Sequence, residues 1–283
     1  MKLNSFTAMF AFVSVAACTK ASAAPLGADN VGNFGGFRIW TACALGTVQR
    51  HCAIDTGSEI SIADDEALFS HYPVLSSAEA SGISSVDFAG VIVQLTDLFF
   101  ADQKLRPTPL LKSGTFSKDI SPMVGLAAID GLKLMFDFQN STLTTLRNAP
   151  SPTFPLLRGN FGGRGLLVSA AIGECSELVA IDTGSPVTLV DTAFAAHHPE
   201  LFQPSTIAVS NELRNAGISA YQILKPIVVG GLALQADFVE VTDLSAFDTG
   251  TTKLNAILGA NHLVKANWFF DLSTNQFAVA RYR

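Results

Sequence analysis

Charge is scarce in this sequence, and neither sign dominates it. Only 15% of the 283 residues are Asp, Glu, Lys or Arg, and 18 basic residues face 24 acidic ones for a net charge of −6. A chain with no basic surplus does not neutralise runs of phosphate, which excludes nucleic acid as a partner. Long apolar runs are missing too. Mean hydropathy is high, at +0.35, yet past the first two dozen residues no uncharged stretch is long enough to cross a bilayer as a helix. The four cysteines show no C-x-x-C zinc spacing, and none of the five histidines falls in an H-E-x-x-H pattern. No Gly-x-Ser-x-Gly gives a serine hydrolase a starting point, and no Gly-Lys-Ser/Thr follows the glycine-rich stretch Gly32 to Gly36. What is present is apolar: 48% of residues, including 21 phenylalanines, which excludes a disordered chain. At this length one large or two modest domains are expected, with enough core to fold without a disulfide scaffold.

The first residues read as an export signal over 1–23. Lys2 is the positive end, Phe6 to Ala17 the apolar core, and Ala21-Ser22-Ala23 the small-residue cleavage pattern. Val15-Ala16-Ala17-Cys18 also resembles a lipobox that would lipidate Cys18, but the Ala-Ser-Ala site accounts for the whole segment, so cleavage near Ala23 is preferred. Either route takes the protein out of the cytosol, to the periplasm or the exterior, where disulfides persist. Cys43 and Cys52 flank a turn at Leu45-Gly46-Thr47-Val48. They either face each other across a hairpin as a disulfide or stand as two small buried thiols. Cys175 has no evident partner.

The chain repeats itself at one long period. Gly32-Asn33-Phe34-Gly35-Gly36 recurs at Gly159 to Gly163, and Ala53-Ile54-Asp55-Thr56-Gly57-Ser58 recurs as Ala180-Ile181-Asp182-Thr183-Gly184-Ser185. The offset is 127 residues in both cases (159 − 32 and 182 − 55). Met123-Val124-Gly125-Leu126 answers Ile257-Leu258-Gly259-Ala260, and an aspartate in an aromatic strand follows each, Asp137 and Asp271. Two copies of one long unit indicate a duplicated domain. Three prolines within Pro150 to Pro155 mark the seam, which divides the chain into an N-terminal lobe over 24–149 and a C-terminal lobe over 150–283. Within each half, glycine-bounded apolar runs predict strands, with Trp40–Leu45 and Gln49–Ile54 as a hairpin and Gly165–Ile172 and Leu178–Ile181 as its repeat. Short helices are expected at Asp64–Ser70, Leu126–Leu132, Asp191–His198 and Ala260–Lys265. His71 and the His197-His198 pair close two of them, where a cation suits the helix dipole.

The pair of Asp-Thr-Gly-Ser tetrads carries the chemistry. A buried strand delivers each loop inward, aspartate supplies a carboxylate, and threonine supplies a hydroxyl able to tie one loop to the other. Glycine lets backbone approach the carboxylate and donate its N–H, and serine has a hydroxyl for orienting the carboxylate oxygen. Here the sequence resembles the aspartic protease clan, pepsin-like and retropepsin-like. The matching residues are Asp55-Thr56-Gly57-Ser58, Asp182-Thr183-Gly184-Ser185, Val124-Gly125 and Leu258-Gly259, with Leu45-Gly46-Thr47 similar to the hairpin that opens pepsin-like lobes. The resemblance spans nearly all of residues 32–283. It implies an all-β, bilobal pepsin-like fold of two duplicated, barrel-like lobes about a pseudo-twofold axis, with few short helices. It also implies an endopeptidase whose Asp55 and Asp182 activate water between them, needing no metal or other cofactor. Two intact tetrads in one chain allow a monomer to build the whole site for a peptide or unfolded-protein substrate.

Three departures qualify the resemblance. The lobes are small. The stretch Ser76 to Gly114 lacks the flap tyrosine of pepsin-like enzymes; the candidate flap is Gly82-Ile83-Ser84, with Gly217, Ile218 and Tyr221 as its counterpart, and plain hairpin turns as the other reading of both. Only Ala24 to Val31 separate the signal from the first repeated block, which predicts no basic propeptide. These departures keep a second function in view, a non-catalytic pepsin-fold protein that binds peptides or inhibits another enzyme.

Overall fold

The computed structural model describes residues 23–31, 36–63, 72–81, 87–100, 103–113, 122–148, 150, 153–159, 165–211, 214–248 and 253–281. The expected first flap, Gly82-Ile83-Ser84, the helix at 64–70, His71 and the export signal up to residue 22 lie outside the described residues. Strands dominate, and three short helices stand among the described residues: α1 (Leu126–Ile129), α2 (Thr192–His197) and α3 (Ala260–Leu263). Asp191 caps α2, its carboxylate accepting the Ala193 and Phe194 amides at 2.9 and 3.1 Å. The helices after the two Val-Gly and Leu-Gly turns are shorter than the sequence suggests, each four residues.

The duplication is visible strand by strand. Gly36–Leu45 and Val48–Asp55 form the first hairpin, closing at Leu45↔Val48, with Gly46 at the left-handed φ of 57° that its turn requires. Gly165–Ile172 and Cys175–Ile181 repeat it. In each half the inner strand is partly or fully exposed over its first four residues and buried over its last. That gradient points one end of the strand into the molecule.

Between the halves runs a sheet built from both. Its order is Phe154–Pro155, Gln276–Ala280, Asn267–Asp271, Lys133–Asp137, Thr142–Thr145 and Ala23–Val31. The central pairing joins the two repeats, Leu134 opposite Phe270 and Phe136 opposite Trp268. The aromatic repeats meet here: Phe136 packs edge-on to Phe270 at 5.8 Å, and Trp268 stacks on Phe270 at 6.0 Å. The turns after each aromatic strand also match, with Ser141 and Asn275 at φ of 53° and 56°. Asp271 is buried beside Lys133, whose Nζ lies 3.1 Å away. Burial pushes its carboxyl up, but the Ser273 hydroxyl, Thr274 and Lys133 override that and hold it at about 2. Asp137 bonds across the halves, its Oδ1 accepting from the Asn267 side-chain Nδ2 at 2.8 Å. Arg158 adds a clamp, donating to Asp130 at 2.7 Å and to Asn275 at 3.0 Å. Among the described residues no helix is long and apolar enough to cross a membrane.

Cys43 and Cys52 form a disulfide, with Cα atoms 5.8 Å apart. Their strand register pairs Cys43 with Arg50 and Thr41 with Cys52, so the bridge runs along a diagonal of the hairpin. Both residues are buried. The bridge therefore pins the strand that ends in Asp55. Closing so short a loop stabilises by about 2–3 kcal/mol on the chain-entropy estimate. The Cys43→Ala, Cys52→Ala double variant is expected to show that loss as a lower midpoint of urea unfolding.

Candidate active site

Asp55 is the last residue of the strand Val48–Asp55, and Asp182 follows directly on Cys175–Ile181. A second strand supports each from behind in parallel register: Met123–Gly125, with Gly125 opposite Asp55, and Ala256–Leu258, with Leu258 accepting the Asp182 amide at 2.9 Å. The glycine that precedes each helix, Gly125 or Gly259, has ordinary extended geometry, φ −83° and −95°, so its freedom of φ is not what is used. Space is. A Cβ on Gly125 would lie 2.3 Å from the Ile60 carbonyl oxygen, and one on Gly259 2.1 Å from that of Val187. Each glycine lets the returning aspartate loop cross at contact distance.

The two loops are locked to each other through their threonines. The Thr56 amide donates to Thr183 Oγ1 and the Thr183 amide to Thr56 Oγ1, each at 3.1 Å. The Thr56 hydroxyl donates to the Ile181 carbonyl at 2.8 Å, and the Thr183 hydroxyl to the Ile54 carbonyl at 2.6 Å. Every member of this quartet is buried, which makes the lock rigid and costly to break.

Within each loop the glycine amide holds its own aspartate: Gly57 to Asp55 Oδ1 at 2.9 Å and Gly184 to Asp182 Oδ1 at 2.8 Å. The Ser185 amide adds a bond to Asp182 at 3.1 Å. Each glycine also makes room for the opposite carboxyl. A Cβ on Gly57 would meet Asp182 Cγ at 2.5 Å, and one on Gly184 would meet Asp55 Cγ at 2.6 Å. The serine hydroxyls depart from expectation. They do not hold the carboxylates; Ser58 donates to the Ile60 carbonyl at 2.9 Å and Ser185 to the Val187 carbonyl at 2.8 Å. Backbone amides already serve the carboxylates, and the hydroxyls close the turns.

Asp55 and Asp182 are 8% and 6% exposed, and each carboxyl lies against the glycine of the opposite loop. Burial pushes Asp55 well above the ordinary carboxylate range, and the Asp182 charge pushes it further. Burial raises Asp182 also, while the hydrogen bond from Asp55 and the Gly184, Ser185 and Gly57 amides pull against it. Two carboxyls so coupled titrate as a unit.

Two residues the sequence reading missed complete each loop. Ser61 Oγ accepts the Gly125 amide at 3.1 Å, and Thr188 Oγ1 accepts the Gly259 amide at 3.0 Å. Both stand six residues after their aspartate (61 − 55 and 188 − 182), so the repeat already contained the signal. The expected counterpart of the first flap lies in a long antiparallel hairpin. The hairpin joins Phe202–Asn211 to Arg214–Ile223 and closes at Asn211↔Arg214. Gly217 and Ile218 lie within the second strand, Ile218 opposite Val209, and Tyr221 sits at the base opposite Pro204, packed on the core. Among the described residues no cluster of three His, Cys, Asp or Glu side chains is arranged to hold a metal ion.

No family model matches the chain, and no curated protein matches it by sequence. Its structure is similar to the crystal structure of an aspartic proteinase from Irpex lacteus, with a TM-score of 0.56 at 14% identity over 93% of this chain and 97% of that one. That likeness, with the duplicated sheets and the cross-half sheet between them, shows the chain to have the bilobal, mostly-β fold of a pepsin-like aspartic proteinase.

Proposed function

We propose that the chain is an exported aspartic endopeptidase with Asp55 and Asp182 as its dyad. The observation that carries this reading is the buried carboxyl pair, held by amides from its own loops and fixed by the reciprocal threonine lock. The ionised carboxylate of the pair takes a proton from water, whose oxygen attacks the peptide carbonyl carbon. The protonated carboxyl donates to the carbonyl oxygen, giving a neutral tetrahedral gem-diol. The protonated carboxyl then gives its proton to the nitrogen while the ionised one takes a proton from a gem-diol hydroxyl, so the C–N bond breaks, acid and amine leave, and the pair again holds one proton. No covalent intermediate is formed. The export reading rests on the sequence of residues 1–23, and the Cys43–Cys52 disulfide fits an oxidising compartment.

Purified protein incubated with an unfolded polypeptide across acid and neutral pH should yield fragments with new termini by mass spectrometry. A statine-type inhibitor should block their formation, and neither chelators nor thiol alkylation should. Tight peptide binding without cleavage at any pH would replace this reading with the binding-protein one.

A further inference from the structure

The two aspartate loops are backed by unequal helices. In the first half, α1 places Ala128 three residues after Gly125; in the second, α3 places His262 three residues after Gly259. His262 is fully buried, and its Nδ1 lies 2.7 Å from Thr188 Oγ1, the same oxygen that accepts the Gly259 amide. Its Nε2 is buried with no hydrogen-bond partner. The neighbouring Asn261 accepts the Thr188 amide at 2.8 Å and donates to the Phe238 carbonyl at 2.9 Å. The Ala260 amide donates to the Ser185 carbonyl at 2.8 Å. Residues 185–188 and α3 are thus one hydrogen-bonded block, with Thr188 at its centre. The first loop makes the equivalent glycine bond through Ser61 with no imidazole behind it, so His262 is an addition the fold does not require.

We infer that His262 is a positioning residue for the second aspartate loop, acting through Thr188, and that its protonation releases that loop and gives the C-terminal half an acid limit. An imidazolium there would present two N–H donors. Nε2–H has no acceptor, and Nδ1–H could only donate to Thr188 Oγ1, so the Thr188 hydroxyl could not donate to the ring. Neither ring nitrogen meets a carboxylate: Nδ1 faces Thr188 and Nε2 has no partner. Charged groups on surrounding segments are Arg38 on Gly36–Leu45, Asp182, Asp191, Lys265 and the buried Glu240, whose amide donates to the Thr188 carbonyl at 2.9 Å. Asp182 is engaged by its amides and Asp55, and Asp191 by the α2 amides. Lys265, on the turn after α3, acts on the ring with the wrong sign. Burial first and Lys265 second hold His262 down from 6.5 to about 3.

The sign follows by linkage. Above 6.5 the ring is neutral folded and unfolded, and its pH contribution is flat. Below that the unfolded chain takes a proton that the folded chain refuses, so stability falls about tenfold in the folded-to-unfolded ratio per pH unit, down to about 3. The Asp55–Asp182 pair has the opposite sign, since raised carboxyls lose stability as pH rises, so the reading must be a difference between variants.

The inference rests on the proposed peptidase activity for its catalytic part alone. Thermal unfolding of the full chain in an Asp55→Asn background, which removes self-digestion, should show His262→Gln gaining about 5–10 °C on the His262 protein between neutral pH and about pH 4.5. Superimposable curves would overturn the inference. Should the variant not fold, the imidazole signals of the unmutated chain decide by NMR: a His262 that titrates near the ordinary histidine value refutes it. With Asp55 intact, the acid limb of kcat should move down by about one pH unit in His262→Gln with KM unchanged. A stability gap without proteolysis in either protein leaves the histidine device standing and removes the peptidase reading. Proteolysis with an unmoved acid limb does the reverse.

Discussion

Asp55→Asn should lower kcat on a peptide substrate by about 10⁴-fold and leave the protein at least as stable at neutral pH. Both halves of that expectation come from the same geometry. Asn keeps a carbonyl oxygen for the Gly57 amide, now bonded at 2.9 Å, and its amino group can donate to Asp182. The loop has no reason to move. What disappears is the proton the pair shares and passes between water, carbonyl oxygen and leaving nitrogen, and every step of the proposed reaction draws on it. Stability moves the other way. Burial and the Asp182 charge raise the Asp55 carboxyl, and a raised carboxyl contributes stability at low pH that is lost as pH climbs through its folded value. Asn never ionises, so that loss is absent from the variant. Thermal unfolding at pH 7 and a progress curve on one peptide check the two halves together. A variant that is inactive because it is unfolded, or one that retains wild-type turnover, contradicts the assignment of Asp55 to the dyad.

The parts legible in the sequence are those written locally and twice. Asp-Thr-Gly-Ser, the Val-Gly and Leu-Gly turns and the opening hairpins recur at one offset, and each spells its own backbone need. Asp191 as a helix cap and the turn residues Ser141 and Asn275 also speak for themselves. Long-range partners were harder to see. Ala24 to Val31 reads only as the interval between the export signal and the first repeated block, and Gly27, Asp29 and Asn30 are poor strand formers. Yet it runs along two sheets, with Ala23 opposite Thr144 and Leu26 opposite Thr41. Its glycine has a distant cause: a Cβ on Gly27 would lie 2.3 Å from the Trp40 ring. The second hairpin misled for the converse reason. Gly217-Ile218 looks like a turn or flap, but a long paired ladder tolerates a glycine. Glu212 and Leu213, which separate the closing pair, carry no turn chemistry at all. The serine hydroxyls show a third limit. Spacing placed Ser58 and Ser185 beside carboxylates, but only coordinates reveal that the amides reach them first.

The glycines of the tetrads offer the sharpest steric test. Gly57→Ala should reduce kcat by about 100-fold or more, through the aspartate of the other half. Its Cβ would stand 2.5 Å from Asp182 Cγ and 2.6 and 2.7 Å from the two carboxylate oxygens. Those atoms cannot retreat as a flexible side-chain end would, since the Gly184 and Ser185 amides grip Asp182 Oδ1 at 2.8 and 3.1 Å. Either Asp182 swings off its amides or the first loop backs away against the threonine lock. Both separate the carboxyls, and a displacement on the order of 1 Å is enough to spoil proton transfer. Gly184→Ala should do the same to Asp55, whose Cγ would be 2.6 Å from the new methyl. Ser58→Ala is the control in the same loop. It loses the bond to the Ile60 carbonyl, a turn contact worth about 1 kcal/mol, and kcat should stay within a few fold. Because Gly57→Ala works by displacing the Asp182 carboxyl, combining it with Asp182→Asn should add little to the loss already caused by Asn. Multiplying losses would instead place the effect of the methyl somewhere other than the opposite aspartate.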